Sequence, residues 1–222
     1  MTWHPNIPEE YRNQIVTGDA RELAKRIPDE SIDLIFTDPV YDRIEDYEWL
    51  AETAVRLLMH GGNVVVQTGK IDLPEVLPAM NIPGLEWVTL LAEVHPRASG
   101  MIGKRNIQTG WTPYLWFCKG YPRNGQWVFD RYYAKGKDRS FHRWGDGSSF
   151  YQMYIERLSG PEDLILDPFT GGGTVPAVCK ILSRNYIAFE IDPDIAEMAR
   201  ERVLNTQPPL FVPEPEQLEM IE

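Results

Sequence analysis

Two apolar segments that each run into an Asp-Pro dipeptide constrain the fold of this chain more than any other feature. The first covers residues 32–37 and is followed by Asp38-Pro39; the second covers residues 163–167 and ends in Asp167-Pro168. Short, nearly continuous apolar runs of this kind are typical of strands that are buried on both faces of a sheet. Helical patterns alternate with them along the chain. This alternation predicts an α/β fold with a doubly wound, mostly parallel sheet.

The same patterns place the individual elements. Strands are predicted at residues 14–19, 32–37, 63–67, 87–92, 112–118, 163–167 and 186–190. Helices are predicted at residues 20–27, 47–59, 149–158, 174–183 and 193–204. The stretches 97–110 and 121–147 are rich in glycine, basic and aromatic residues, and we predict loops there. The tail from residue 205 has four prolines, four glutamates and no basic residue, so we expect it to be extended or frayed.

Length and composition narrow the class of protein. A chain of 222 residues, 43% hydrophobic and 25% charged, has the composition of a soluble globular protein with one substantial core. No run approaches 18 apolar residues, and residues 1–6 lack the pattern of a signal peptide, so a cytoplasmic location is expected. Cys118 and Cys179 form no Cys-x-x-Cys pair, which suggests neither a metal site nor a disulfide framework.

A glycine loop and an acid predict a site for a nucleoside. Asp167-Pro-Phe-Thr-Gly-Gly-Gly-Thr174 joins a strand to a helix, where glycines let the backbone approach a ligand and free N–H groups favour an anionic group. Seventeen positions after Gly173, Glu190 ends the next strand and can accept hydrogen bonds from both ribose hydroxyls. A tight turn with a solvated acid is the alternative. No Lys-Ser/Thr follows the glycines, and Pro176 stands where a dinucleotide fingerprint needs glycine, so a nucleoside with a small zwitterion fits better than a pyrophosphate.

Asp38-Pro39-Val40-Tyr41 has the chemistry to bind an exocyclic amine. The lone pair of such a nitrogen is delocalised into its ring, and a carboxylate and a backbone carbonyl that accept its two N–H bonds would localise it. Tyr41 can hold the base by stacking, so positioning and electrostatics suffice without a covalent nucleophile. An ordinary turn is the alternative, because Asp-Pro is a frequent turn opener.

Together these two motifs resemble the amino-methyltransferases of DNA, which make N6-methyladenine or N4-methylcytosine with S-adenosylmethionine. The family signatures are Asp-Pro-Pro-Tyr for catalysis and Asp-Pro-Phe-x-Gly-x-Gly-Thr for the cofactor. The resemblance covers residues 13–68 and 148–204, and the catalytic motif precedes the cofactor motif, as in the permuted beta group. It implies the Rossmann-like class I methyltransferase fold in circularly permuted order.

The resemblance also implies roles for individual residues. Asp38 and the Pro39 carbonyl would bind the target amine, and Tyr41 would stack on the base. Cofactor contacts are implied for Asp19, Ser148, Ser149, Asp167, Phe169, Gly171, Gly173, Thr174 and Glu190. For Asp19 a helix cap is an equally good interpretation.

Two departures from the family pattern stand out. Val40 replaces the second proline of the catalytic signature, so the Pro39 carbonyl is aimed less rigidly and we expect reduced preorganisation. Before the cofactor half, relatives carry a His-Pro-Thr-Gln-Lys-Pro-like stretch, whereas this chain has His142-Arg-Trp-Gly-Asp-Gly147. Only the histidine matches there, which affects the methionine end of the cofactor site.

Charge is distributed unevenly along the chain. The net charge is −11, yet residues 97–143 carry +8 and ten aromatic residues, which leaves −19 for the rest. Basic residues neutralise phosphates and aromatic residues stack on bases, so residues 97–147 are predicted to be a nucleic-acid-binding elaboration of the domain. Phosphate contacts are predicted for Lys104, Arg105, Arg123, Arg131, Lys135, Lys137 and Arg139. Trp116 and Tyr114 are expected in the core instead. So small an elaboration implies a short target sequence or help from a second subunit, as in a homodimer.

The leading hypothesis is an adenine-N6 DNA methyltransferase that acts on a base flipped out of duplex DNA, as in restriction-modification systems. Asp38 favours adenine, because the N4-cytosine enzymes often have serine at that position. N4-cytosine and RNA adenine methylation are the alternatives, and protein glutamine methylation is disfavoured by the motif order. Cytosine-C5 methylation needs a reactive cysteine, whereas Cys118 and Cys179 have apolar neighbours. A nucleic-acid-binding module that has lost catalysis is the alternative of another class.

Overall fold

The structure is a computed structural model, and it describes residues 4–97, 100–102, 106–123, 126–134 and 148–207. The strands of this part are β1 (Gln14–Thr17), β2 (Ile32–Thr37), β3 (Leu58–Gln67), β4 (Glu86–Val94), β5 (Gly100–Ile102), β6 (Ile107–Thr109), β7 (Trp111–Cys118), β8 (Arg131–Tyr133), β9 (Leu164–Asp167) and β10 (Asn185–Glu190). Its helices are α1 (Ala20–Leu23), α2 (Ile44–Leu57), α3 (Leu73–Met80), α4 (Ser148–Leu158), α5 (Thr174–Leu182) and α6 (Pro193–Asn205).

The central sheet has the order β1-β10-β9-β2-β3-β7-β4-β8, and β5 pairs with β6 in a separate ribbon. The five strands from β1 to β3 in this order are parallel, and β7 runs against both β3 and β4. The carboxyl ends of β1, β10, β9, β2 and β3 therefore share one edge, which we call the carboxyl edge. The predicted doubly wound, mostly parallel sheet is confirmed.

Alternating strand residues supply two cores, one on each face of the sheet. On one face, Val64 and Val66 pack with residues of α1, α2 and α3. On the other face, Val65 packs with residues of α4, α5 and α6. Because successive strand side chains point to opposite faces, one continuous apolar strand feeds both layers. Trp116 and Tyr114 are buried in the second core, as predicted.

The middle of the chain departs most from the sequence prediction. Helix α3 was not predicted, and the stretches predicted as loops contain β5, β6 and β8. These three strands have three residues each, and such short segments gain their hydrogen bonds only from partners supplied by the rest of the fold. Helix α1 also ends at Leu23, where a 3-10 turn over Ala24–Arg26 replaces the rest of the predicted helix.

Among the described residues, no helix is both long and apolar enough to cross a membrane.

Candidate active site

The two Asp-Pro dipeptides lie side by side at the carboxyl edge. Strand β2 pairs in parallel with β9, with Leu34 opposite Ile165 and Ile35 opposite Leu166. Just beyond this pairing, Thr37 Oγ1 donates a hydrogen bond of 2.7 Å to Asp167 Oδ1. The two motifs, far apart in the chain, therefore leave the sheet next to one another.

The glycine loop after β9 combines open space with tight packing. Gly171 and Gly173 have φ angles of +47° and +73°, in the left-handed region that favours glycine. A Cβ atom placed on Gly171 would meet no described atom within 4 Å, whereas one on Gly173 would lie 3.0 Å from the Cβ of Ala199. Gly171 thus borders the space in which a ligand can lie, and Gly173 lets α6 approach the loop.

Arg202 of α6 holds this loop from outside the motif. Its Nη1 donates hydrogen bonds of 3.0 Å to the Gly172 carbonyl and 2.7 Å to Thr174 Oγ1. Burial lowers the pKa of Arg202. The Thr174 hydroxyl oxygen therefore accepts a hydrogen bond from α6. Sequence reasoning missed Arg202, because nothing in the local pattern relates it to a loop about thirty residues earlier.

Two acids flank the loop at the ends of neighbouring strands. Glu190 Oε2 accepts a hydrogen bond of 2.9 Å from the Gly171 N–H, and Oε1 accepts one of 2.9 Å from Asp192 N–H. Asp19 is exposed just after β1, which pairs with β10. Its Oδ1 accepts a hydrogen bond of 2.9 Å from Arg21 N–H and caps α1, so the cap interpretation holds for this oxygen. Ile191, the residue after Glu190, is 70% exposed beside this site, and the sequence prediction did not include it. Its position directly after the acid is the sequence feature that could have identified it.

Asp167 faces the junction of the two motif strands. It is buried, and its Oδ1 accepts hydrogen bonds from Thr37 and from the Phe169 N–H at 3.4 Å. Burial raises the pKa of Asp167 to about 7, against the lowering effect of the Thr37 hydrogen bond. Phe169 is half-buried and packs edge-on against Trp49 of α2, with ring centroids 5.6 Å apart.

Asp38 and Tyr41 lie at the open end of β2. Burial raises the pKa of Asp38 to about 6, and hydrogen bonding from the Tyr41 hydroxyl lowers it. The Asp38 side chain nevertheless remains open to solvent on one side, so water screens part of the burial effect. Burial and the Asp38 charge raise the pKa of Tyr41 to about 12, which keeps its hydroxyl protonated. The Tyr41 ring is 37% exposed and borders a cleft of about 260 Å³.

The candidate nucleic-acid residues do not all lie on one side. Arg131 begins β8, which pairs with the carboxyl-terminal half of β4 and so reaches the carboxyl edge. Arg123 lies at the opposite edge, where its N–H donates a hydrogen bond of 3.1 Å to the Gly61 carbonyl. Lys104, Arg105, Lys135, Lys137 and Arg139 lie outside the described residues. Ser148 and Ser149 are the first residues of α4.

A separate cavity of about 720 Å³ opens at the amino ends of β1 and β10. Its lining includes Asn13, Lys180, Arg184 and Arg200. No residue of either Asp-Pro motif lines it, so the chemistry predicted from the motifs belongs to the other edge of the sheet.

Comparison with known proteins identifies the family. A family model described as DNA methylase, for the N6 and N4 enzymes, matches residues 32–201, which contain both motifs. The chain belongs to the S-adenosylmethionine-dependent DNA amino-methyltransferases. S-adenosylmethionine is accordingly its cofactor, and the arrangement of Gly171 and Glu190 fits this ligand.

Relatives in this family are similar over most of the chain. The type II methyltransferase M.HpaI of Haemophilus parainfluenzae is 25% identical over 236 residues, which cover 86% of this chain and 74% of that protein. The DNA adenine methyltransferase YhdJ of Escherichia coli (strain K12) is 23% identical, over 88% of this chain and 85% of that protein.

Solved structures of the amino-methyltransferase class share the fold. The complex of M1.HpyAVI with its cofactor matches with a TM-score of 0.71 and 23% identity, covering 86% of this chain and 98% of that one. The cytosine-N4-specific PvuII DNA methyltransferase matches with a TM-score of 0.72 and 20% identity, covering 85% of each chain. At these identities the likeness establishes the Rossmann-like class I fold, which the family resemblance had implied.

Both cysteines are buried and free. Burial raises the pKa of Cys118 to about 11 and also raises the pKa of Cys179. Because the thiolate is the nucleophilic form, both thiols are poorly suited to the covalent chemistry that C5 methylation of cytosine needs.

Proposed function

We propose that this amino-methyltransferase transfers a methyl group to the N6 amine of adenine in duplex DNA, with the target base rotated out of the helix. The observation that carries the proposal is the hydrogen bond between Thr37 and Asp167, which joins the end of the catalytic strand to that of the cofactor strand. Asp38 at the first motif position favours adenine over cytosine. YhdJ is named an adenine enzyme and the PvuII enzyme is named cytosine-N4-specific, so the choice between adenine and cytosine is tested by experiment.

The amine site consists of Asp38, Pro39 and Tyr41. The Asp38 carboxylate and the Pro39 carbonyl accept one N–H bond each from the amine, which concentrates the lone pair on nitrogen. Tyr41 presents its exposed ring beside a cleft lined also by Gly69 and Trp111, and this supports stacking on a planar base. Asp38 must be ionised for this role, so activity should be lost as pH falls through about 6.

The cofactor site extends along the carboxyl edge from β9 to β1. When bound, S-adenosylmethionine would supply an electrophilic methyl group. As the amine nitrogen bonds to that carbon, the sulfonium carbon–sulfur bond breaks, S-adenosylhomocysteine leaves and the amine releases one proton. Glu190 accepts hydrogen bonds from the ribose, Gly171 gives the ligand close access to the backbone, and the exposed Ile191 offers an apolar wall for the base. The loop takes its shape from Asp167, Phe169, Gly173 and Thr174. Asp19 contacts the cofactor from the end of β1. Ser148 and Ser149 hold the methionine end with the N–H groups of the first turn of α4.

The basic middle segment is proposed to bind DNA. Arg131 contacts phosphate from the same edge as the amine site, and the basic residues outside the described part belong to the same elaboration, residues 97–147. Arg123 supports the proposal less, because it packs at the opposite edge. Residues 205–222 form an acidic tail of the domain, which a polyanion would repel.

Mass spectrometry of nucleosides tests the function. Unmethylated duplex DNA is incubated with the protein and deuterated S-adenosylmethionine, and labelled N6-methyladenine is expected. Asp38→Ala should lower its formation by about 100-fold or more, since it removes an acceptor aimed at the reacting amine. Tyr41→Ala should also lower it strongly, and Glu52→Ala, an exposed change on α2, serves as the control.

The products separate the candidate functions. Labelled N4-methylcytosine would move the assignment to the N4 enzymes, and methylation only of an RNA substrate would move it to RNA. Calorimetric binding of S-adenosylmethionine with no methylated product from either nucleic acid would support a binding module and refute the proposed enzyme.

A further inference from the structure

A row of hydrogen-bonded polar side chains runs from Tyr41 through the buried Gln67 to the half-buried Tyr151. Gln67, the last residue of β3, is 8% exposed and lies directly behind the Tyr41 hydroxyl. Its Nε2 donates a hydrogen bond to the Tyr41 hydroxyl oxygen. Its Oε1 accepts a hydrogen bond of 3.1 Å from the Tyr151 hydroxyl of α4. One amide thus connects the turn after β2 to α4.

The donors in this row all point toward Asp38. Because the Tyr41 oxygen accepts from the Gln67 amide, the Tyr41 proton is free for a second acceptor. Asp38 lies three residues earlier on the same turn, and the Tyr41 hydroxyl lowers the pKa of its carboxyl. Tyr151 fixes the other end of the amide by donating to its carbonyl. Tyr114, which pairs with Gln67 across the sheet, donates its own proton to Glu93 Oε2 at 3.3 Å.

We infer that Gln67 is a positioning residue of the amine site, which holds the Tyr41 hydroxyl as a hydrogen-bond donor to Asp38 and so favours the carboxylate that accepts the target amine. Only one part of the inference rests on the proposed function, namely that the Asp38 carboxylate accepts the target amine. The hydrogen-bond arrangement itself is a property of the free protein. Nothing in the Asp-Pro-Val-Tyr motif specifies it, because Gln67 lies on another strand.

The surroundings of Asp38 make this donor important. Within the part of the chain that the structure describes, the ionisable groups that interact with Asp38 are Tyr41 on its own turn, Tyr47 of α2, Tyr114 of β7, Tyr151 of α4 and Asp167 of β9. Glu93 of β4 adds negative charge near Tyr41 and Tyr114. All of these groups are neutral or acidic, so none supplies a positive charge. Among them the Tyr41 hydroxyl is the group that lowers the pKa of Asp38.

Carboxyl NMR of the free protein tests the inference without any substrate. The Asp38 ¹³C signal, assigned with Asp38→Asn, is titrated in the wild type, Gln67→Met and Tyr41→Phe. Gln67→Met keeps the volume but removes the donor, and Tyr41→Phe removes the hydroxyl. Each should raise the pKa of Asp38 by roughly half a unit to one unit. Tyr11→Phe, which removes the hydroxyl of a buried tyrosine bonded to the Leu23 carbonyl, should leave the Asp38 titration unchanged.

The double variant isolates the route of the effect. If Gln67 acts through Tyr41, Gln67→Met combined with Tyr41→Phe should shift Asp38 no further than Tyr41→Phe alone. An additive shift, or an unchanged titration in Gln67→Met, would overturn the inference. Circular dichroism and thermal unfolding establish that each variant is folded.

Kinetics links the arrangement to catalysis. In Gln67→Met the acid limb of the kcat–pH profile should move upward by the same amount as the Asp38 titration, and kcat should recover at alkaline pH. A loss of kcat that is equal at all pH values would indicate a merely structural role and contradict the inference. If the protein methylates neither DNA nor RNA, the proposed function fails, yet the NMR titrations still decide the role of Gln67.

Discussion

At Asp38, the ionised form that catalysis needs is also the form that burial destabilises. It must be ionised to accept the amine, but burial favours its protonated form and raises its pKa from 3.8 to about 6. The folded protein therefore holds this proton more tightly than the unfolded chain does. The resulting stabilisation is present at low pH and is lost as pH rises through about 6. Solvent access to the side chain reduces the size of this effect.

We predict that Asp38→Asn unfolds at a higher temperature than the wild type at pH 8. The amide removes the desolvated charge, and a gain of about 2 °C corresponds to roughly 0.5–1 kcal/mol in a chain of this size. The gain should shrink toward pH 4, where the wild-type carboxyl is protonated. Thermal unfolding followed by circular dichroism measures it, with the exposed neighbour Asp42→Asn as the control. A lower unfolding temperature at pH 8 would refute the burial argument.

At the scale of elements, the glycine loop performs two separate tasks. Gly171 and Gly173 have the same left-handed backbone, but one faces open space and the other faces Ala199 of α6. Arg202 adds two hydrogen bonds from the same helix. The loop is therefore a rigid connection between β9, α5 and α6, and only its outer side is available to the cofactor.

We predict that alanine at Gly173 mainly lowers stability, whereas alanine at Gly171 mainly weakens cofactor binding. Gly173→Ala should lower the free energy of unfolding by about 2 kcal/mol or more, because the strained backbone and the contact with Ala199 act together. Gly171→Ala should cost only about 1 kcal/mol of stability but weaken S-adenosylmethionine binding by at least about tenfold, since its Cβ enters the ligand space. Urea unfolding and calorimetric titration measure the two effects, with Gly110→Ala as the control. Equal binding losses in both variants would contradict this division.

At the scale of the whole molecule, the order of strands decides which charges can reach DNA. Arg131 on β8 lies four strand spacings from β2, roughly 19 Å along the carboxyl edge. Arg123 belongs to the same basic stretch of sequence but packs against Gly61 at the amino-terminal side of β3. The positive stretch is therefore divided between two edges of the sheet.

We predict that Arg131→Ala weakens binding to duplex DNA and Arg123→Ala does not. Loss of one phosphate contact should reduce the slope of log affinity against log salt concentration by about 1. Fluorescence anisotropy with a labelled duplex over a range of salt concentrations measures this slope. A larger effect of Arg123→Ala would place the DNA at the other edge of the sheet.

Local pattern was sufficient for the elements that carry the chemistry. Strand β2 begins and ends at the predicted residues, and β9, β10, α5 and α6 agree with prediction within two residues at either end. Such strands are apolar on both faces, and Asp-Pro or glycine marks their ends, so neighbouring residues contain the information. Both motifs stand at the ends of such strands, and the family resemblance, which the family model confirms, was based on them.

Only the tertiary structure decided which distant residues act together. Thr37 and Asp167 meet across 130 positions because β2 and β9 are neighbours in the sheet. The same packing brings Gln67 behind Tyr41, places Arg202 on the glycine loop and directs Arg123 away from the carboxyl edge. A hydrogen bond or an arginine–phosphate contact forms only when its atoms lie within a few ångströms of each other. Periodicity along the chain specifies which face a residue occupies, whereas strand order and helix packing specify its partners.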